Sequence, residues 1–498
     1  MKKIIALSSI VALATVGFAS TNVETRLDTM ENKISKLEKK LIKANKKLNK
    51  VKAHDAGDNI KWDVDFRTSV DRLSYDHASG KESKNGSLMT NRLLLGMKFQ
   101  ADENVLFYGT LGYNKAYGDT MNHSQSNTNP GYANFDWVTN ENATDNTVKV
   151  KEAYWMYMNN TFMGKDIPWT ASVGRRPSTG GLGINFREGD QRKSALAHTV
   201  NIEFDGASFK WTLDKVTPLV GSWFKLCMGR GLTNATQRFQ NDGSSYANNT
   251  STSSHQKNID MKGFIFVPYD DGQYSIHTNY ATANDLIGFA SNGTTYMSTS
   301  GNYDSNYQTI FPAFKSFGDL ELITAMVKVD GIGDGINDYL DETIIFASFA
   351  QSKTKPKSFG AGETARMLGS TKSETGNSIW LGVQMPCLLS EDGRIGVEWN
   401  KGSKYWRSMT YGEDTMSGSK IATRGTALEV YWLKPLTKAL SMNVRYTKID
   451  YDYTGSQAFF GDDGTPTDMS TITAANAAMY GDPVKSSTDM RVSMRYRF

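Results

Sequence analysis

Cysteine is nearly absent: Cys227 and Cys387 are the only two in 498 residues, too few for a disulfide scaffold and too far apart for a zinc or haem motif. They read as packed or lipid-facing thiols. Six scattered histidines form neither a His-x-x-x-His nor a Glu-x-x-His arrangement, and no Gly-x-Ser-x-Gly element accompanies them. No catalytic set, metal or cofactor is expected. With 56 Lys and Arg against 52 Asp and Glu the net charge is small for the length, so no nucleic-acid partner is expected either. Long apolar runs are missing too. Mean hydropathy is −0.47, and the one apolar stretch, Ile4 to Phe18 behind Lys2 and Lys3, falls short of the ~20 residues that cross a bilayer as a helix. Residues 1–19 are read as a secretory signal peptide, cut after Ala19.

Two periodicities are present instead. The first is a heptad. Val23, Leu27, Met30, Ile34, Leu37, Leu41, Ala44, Leu48 and Val51 follow 4-3 spacing without a break, which predicts a coiled-coil helix over residues 20–53. Leu27, Ile34, Leu41 and Leu48 fill the a positions; leucine there disfavours dimers, and a parallel homotrimer is expected. Residues 21–53 hold ten Lys or Arg against four acids, a basic outer face suited to weak contact with the carboxylates of peptidoglycan; a solvated helix face is the other reading. Residues 54–59, with Asp-Ala-Gly-Asp, break the helix and serve as linker.

The second periodicity is two. From Asp489 to Phe498 every even residue (Met490, Val492, Met494, Tyr496, Phe498) is apolar and every odd one polar, the pattern of a strand with one face in oil and one in water. Ile60 to Ser69 repeats it. Sixteen such segments occur between residues 60 and 498, joined alternately by short turns and long Asn/Ser/Thr/Gly-rich loops. The fold class is therefore all-β: a transmembrane antiparallel β-barrel of about 16 strands, with 18 as the alternative if Tyr307 to Phe317 is a further strand rather than part of one loop over 284–318. An even count returns both ends of the barrel to the periplasm. Aromatics near strand ends (Trp62, Tyr75, Phe99, Tyr108, Tyr157, Trp169, Trp211, Tyr269, Tyr431, Trp432) are assigned to interfacial girdles.

A barrel this wide leaves an aqueous interior unless something narrows it. The third long loop, 177–199, begins after Gly174-Arg175-Arg176 and is glycine-rich. Its region supplies the expected constriction: Arg175, Arg176, Arg187, Arg192 and Lys193 against Glu188 and Asp190. A net positive neck favours anions, unless these cations pair with lumen acids such as Asp63, Asp65, Glu152 and Glu203. Two smaller features stand out. Ile310, Phe311, Phe314 and Phe317 form an apolar cluster within the 284–318 loop. Gly331 to Asp341 is an acidic turn lacking the ligand order of a calcium loop.

Three resemblances follow. A strand ending in Tyr496 and Phe498 resembles the C-terminal signature of Gram-negative outer-membrane proteins, which implies recognition by the barrel-assembly machinery. Gly174-Arg175-Arg176 and the glycines after it resemble the start of the inward-folded constriction loop of porins. Gly331-Ile332-Gly333-Asp334-Gly335, Thr343 to Ala350 and Lys353-Thr354-Lys355-Pro356, behind a signal peptide and a lysine-rich coiled coil, resemble a family of unknown function among the porin-like outer-membrane proteins of epsilon-class (Campylobacterota) bacteria. The resemblance implies a barrel in outer-membrane lipid and porin activity: passive diffusion of small hydrophilic solutes. The alternative is a plugged barrel serving as a cell-wall tether.

Overall fold

The computed structural model describes residues 60–119, 143, 146–193, 196–233, 257–289, 314–333, 335–360, 363–364 and 366–498. The signal peptide, the coiled-coil seam and the linker lie outside them, as do Ile310 and Phe311.

Strands β1 (Lys61–His77), β2 (Glu82–Asp102), β3 (Val105–Ala116), β4 (Val148–Asn159), β5 (Trp169–Arg176), β6 (Phe204–Thr212), β7 (Trp223–Leu232), β8 (Ile259–Asp270) and β9 (Tyr274–Phe289) run antiparallel in chain order. β10 (Phe314–Asp330), β11 (Ile344–Pro356), β14 (Thr375–Pro386), β15 (Arg394–Gly402), β16 (Gly425–Pro435), β17 (Leu440–Tyr451) and β18 (Val484–Arg497) continue the sheet, and β18 pairs with β1 to close it. These sixteen strands form one closed barrel. Two short strands, β12 (Ser358–Gly360) and β13 (Glu363–Thr364), pair separately. Closure is completed by reciprocal backbone bonds between Val64 and Phe498, at 3.0 and 2.9 Å.

The outward face is apolar and exposed. Phe66 lies beside Tyr496 and Val70 beside Val492 across the seam, and Ile323, Val327, Phe349, Ile379, Leu381 and Val430 continue the band. So many exposed apolar side chains on alternate residues of every wall are stable only against lipid. No described helix is long and apolar enough to cross a membrane.

Four expectations need correction. The first connection is a tight hairpin over 78–81 rather than a long loop, because the β1–β2 pairing runs on to Asp76–Glu82. β9 and β10 extend into the supposed 284–318 loop, so Phe314 and Phe317 belong to a strand, and Phe317 is buried. Tyr75, Tyr108 and Tyr431 face inward instead of joining a girdle: Tyr75 donates to the Met416 carbonyl, Tyr108 stacks on Tyr154, and Tyr431 meets Gln384. The inward face, expected to be polar and wet, is in part greasy and dry. Ile259, Met261, Leu320 and Leu322 of β8 and β10 pack on Met367, Met409 and Phe460 from the long loops. Met326, Phe346 and Trp380 pack on Leu182, Ile184 and Ile421. Alternation reports which side of the wall a residue is on; it does not report whether that side is filled. Cys227 and Cys387 are free thiols.

Candidate functional site

The interior is built by three long connections that fold inward: 177–203, 403–424 and 452–483. In the first, Gly183 precedes helix α1 (Ile184–Glu188) at φ +104. Only glycine fits there, since a Cβ would lie 2.2 Å from the Trp380 ring and the backbone is left-handed. Its next turn is pinned by His198, whose ring nitrogens meet Ser348 and Ser378 at 2.8 and 2.9 Å between the edges of Trp380 and Trp406. Burial without a counter-charge pushes the His198 imidazole down to about 3, so it is neutral. The first and second connections are then stitched together by backbone: Asn201 N to Met409 O at 2.8 Å, Met409 N to Thr199 O at 2.9 Å and Gly412 N to Asn201 O at 2.7 Å. Arg424 fastens the second to the third through the Thr454 and Gly464 carbonyls.

Where these loops reach the wall they carry charge. Arg187, wholly buried, donates to Glu413 at 3.0 Å and to Glu429 of β16 at 3.5 and 3.4 Å. Lys420 bridges Glu398 of β15 and Glu429. Glu188 lies within 4 Å of Arg67, Arg187, Arg445 and Arg495. Asp414 receives Arg67, Arg92 and Arg491 from three neighbouring strands. The loop groups show what this does to titration. Burial works to raise the Glu188 carboxyl, but Arg67, Arg445 and Arg92 hold it at about 2, and burial works against the Arg187 charge, which Glu429, Glu413 and Glu188 nonetheless fix.

The residues expected to form a constriction divide between two settings. Arg187 and Glu188 are in this belt. Asp190 meets Arg495 and Arg497 at 3.0 and 2.8 Å. Arg175 reaches Glu203 and Asp205, both at 3.3 Å, and Lys193 reaches Glu152 at 2.5 Å. Thus Glu152 and Glu203 take cations as the pairing alternative has it, while Asp65 takes Arg495 and Arg92. Arg192 lies 3.3 Å from His277, and Arg176 stacks over the Tyr154 ring at 4.1 Å. Glu398, Glu413, Asp414, Lys420 and Glu429, and the wall arginines opposite them, were not foreseen. The inward positions of Glu398, Glu429 and the wall arginines were legible from alternation; that the 403–424 connection, with Glu413, Asp414 and Lys420, turns into the barrel has no sequence signal comparable to the glycines before α1.

The loops cover the interior unevenly. On β8 to β11 and β14 to β18 most inward residues are buried, with partly exposed ones toward the strand ends such as Lys328, Leu433, Ser441 and Asn443. On β1 Arg67, Ser69, Asp71 and Leu73 are buried while Asp63 is exposed. On β4 to β7 Lys151, Ser172, Arg176, Ser208 and Lys225 are buried too, whereas an arc of Tyr108, Thr110, Tyr154, Thr170, Lys210 and Trp223 is partly exposed. Cations on and beside this arc sit on aromatic faces: Lys98 of β2 over Tyr108 at 5.3 Å and Lys210 over Trp223 at 4.5 Å. Below the belt, a cavity of 710 Å³ lies among Asp63, Glu188, Asp190, Lys193, Arg495 and Arg497. Among the described residues no His, Cys, Asp or Glu group is arranged to hold a metal.

A family model described as "Protein of unknown function (DUF3373)" matches residues 82–498, which takes in every barrel strand but β1. The chain belongs to the DUF3373 family. No curated protein matches it. Among solved structures, the anion-selective porin from Comamonas acidovorans is 11% identical at a TM-score of 0.44, over 88% of this chain and 99% of that one. OprB of Pseudomonas putida, at high pH, is 11% identical at 0.44, over 90% and 96%. OmpF of Salmonella typhi, in complex with daunomycin, is 9% identical at 0.42, over 88% and 98%. Likeness at this level says nothing of what this DUF3373 member carries.

Proposed function

We propose that this protein is an outer-membrane channel of narrow bore, a porin-like conduit for small hydrophilic solutes with a preference for anions. The observation that carries the reading is that the loops leave the interior incompletely filled: a line of partly exposed inward residues, Tyr108, Thr110, Tyr154, Thr170, Lys210 and Trp223, runs over β3 to β7, and a cavity of 710 Å³ opens among Asp63, Glu188, Lys193 and Arg497. Anion preference is supported by Lys98 and Lys210, which rest on rings instead of carboxylates and so keep their charge for a passing ion. The end of the barrel with short turns, the start of β1 and Phe498 is assigned to the periplasm. The basic heptad region, residues 20–53, is proposed as a trimeric coiled coil on that side, in contact with the cell wall. The outer membrane of an epsilon-class bacterium is the setting this reading favours, and no catalysis is assigned.

A plugged anchor is the second reading, favoured by the two dry clusters inside the barrel. Planar-bilayer recording of the purified protein separates the two. The channel reading expects stepwise ohmic current with a reversal potential toward the anion in a salt gradient; an inserted barrel that passes no current overturns it.

A further inference from the structure

The Asp414 carboxylate is held as a bound ligand would be. Arg92 Nη1 donates to Oδ2 at 3.0 Å, Arg491 Nη1 to Oδ1 at 3.1 Å, and Arg67 Nη1 also to Oδ2. Arg187 and Arg445 close over the same residue from its other side, each donating to its backbone carbonyl, at 3.0 and 3.1 Å. The three guanidinium groups on the carboxylate come from β2, β18 and β1, adjacent strands of a rigid wall, while the carboxylate comes from a connection that had to fold in from the rim. The wall groups are therefore the site and Asp414 the visitor. Arg491 also meets Asp71 at 2.5 Å, and Arg67 and Arg92 lie 3.6 and 3.7 Å from Glu188 and Asp65. Even so, Arg67 Nε, Arg92 Nε and Arg491 Nη2 are buried without a hydrogen-bond partner among the described residues, as are the acceptors Asp71 Oδ2 and both Asp489 oxygens. A folding core built only for stability would satisfy these polar atoms or replace them by apolar groups, since buried ion pairs repay their desolvation poorly.

We propose that Arg67, Arg92 and Arg491 form a binding station for the carboxylate of a small organic acid, and that Asp414 occupies it as a tethered substitute for that solute. Two oxygens receiving three guanidinium donors match a carboxylate. The 710 Å³ cavity reaches Glu188 and Arg495, both at the edge of this cluster, and offers the approach. A solute carboxylate displaces Asp414, and the 403–424 connection moves with it. No bond is made or broken.

The proposal rests on the channel reading and names its substrate class, so the test keeps the two apart. Wild type and Asp414→Asn are compared in bilayers in potassium chloride with added succinate. Chloride current through Asp414→Asn should be blocked by succinate at a concentration about tenfold below any effect on wild type, the weight of one charge-assisted hydrogen bond. Current in wild type with no difference in block overturns the station and leaves the channel standing. Absence of current in both overturns the channel; succinate then still supports the station if it raises the unfolding temperature of Asp414→Asn and not that of wild type, and overturns it if it raises neither. Should Asp414→Asn fail to assemble, Arg92→Gln with Asp414→Asn restores the charge balance. That pair should be blocked more weakly than Asp414→Asn is expected to be but more strongly than wild type, and the absence of any block contradicts the station.

Discussion

Replacing Arg187 by Met probes the belt at its centre. Its guanidinium faces Glu413 at 3.0 Å and Glu429 at 3.4 Å; at an effective dielectric of about 20 each contact is worth roughly 5 kcal/mol of gross attraction, most of which offsets desolvation of the ions. The loss on truncation is unequal. Glu429 keeps Lys420 and Arg445, whereas among the described residues Glu413 keeps only the Ser419 hydroxyl at 2.5 Å as a hydrogen-bond donor. Stranding one buried carboxylate costs about 3–5 kcal/mol, and we expect Arg187→Met to lower the unfolding free energy by that amount in detergent micelles titrated with urea, followed by fluorescence of the buried Trp380 and Trp406. Adding Glu413→Gln removes the stranded charge, so the double variant should regain at least half of the loss. A cycle of the two single variants and the double then gives a coupling of about 2 kcal/mol or more. A single variant within about 0.5 kcal/mol of wild type, or a double variant worse than the sum of its parts, refutes the claim that this ion pair locks the loops.

Leu322→Ala, in the dry inner cluster, should cost about 2–5 kcal/mol by urea titration, while Ile323→Ala, next along β10 but facing lipid, should cost well under half as much; equal losses would mean the interior is not a packed core. Because neutral His198 sits at about 3 in the fold against about 6.5 in the unfolded chain, the unfolded state binds the extra proton between those values and stability falls as pH drops through that window. His198→Gln should flatten the pH dependence of unfolding there by about 1.4 kcal/mol per unit, and an unchanged slope would show that the imidazole is charged or exposed. Gly183→Ala places a methyl against Trp380 at a left-handed position and should loosen α1, raising single-channel conductance; unchanged conductance would remove α1 from the bore.

Much of the barrel was readable because a wall strand carries its own signature. β14 alternates Ile379, Leu381 and Val383 with Trp380, Gly382 and Gln384, and only one register puts the first set in lipid. The ends were harder: β1 and β2 run on through polar residues such as Asp76 and Ser83, where ladder hydrogen bonds persist without an apolar face to announce them. The site was half legible. Gly183 and the arginines around α1 signal a chain that turns inward, but Asp414 and Glu413 lie in a stretch whose composition suits an external loop, and their burial is decided by Arg67, Arg92 and Arg491 hundreds of residues away in sequence. Inward Leu322 and Met326 give no local sign of their burial for the same reason: the loops that cover them are tertiary neighbours, invisible to any local window.

Cysteine accessibility tests the central claim most directly. In a Cys227→Ser, Cys387→Ser background, a cysteine at Tyr154, on the half-exposed arc, should react with a membrane-impermeant thiol reagent and cut the bilayer current as it does so, whereas a cysteine at Ser348, beneath His198, should neither react nor alter the current. Rapid modification and block at Ser348 with none at Tyr154 would place the path on the other side of the barrel and contradict the account.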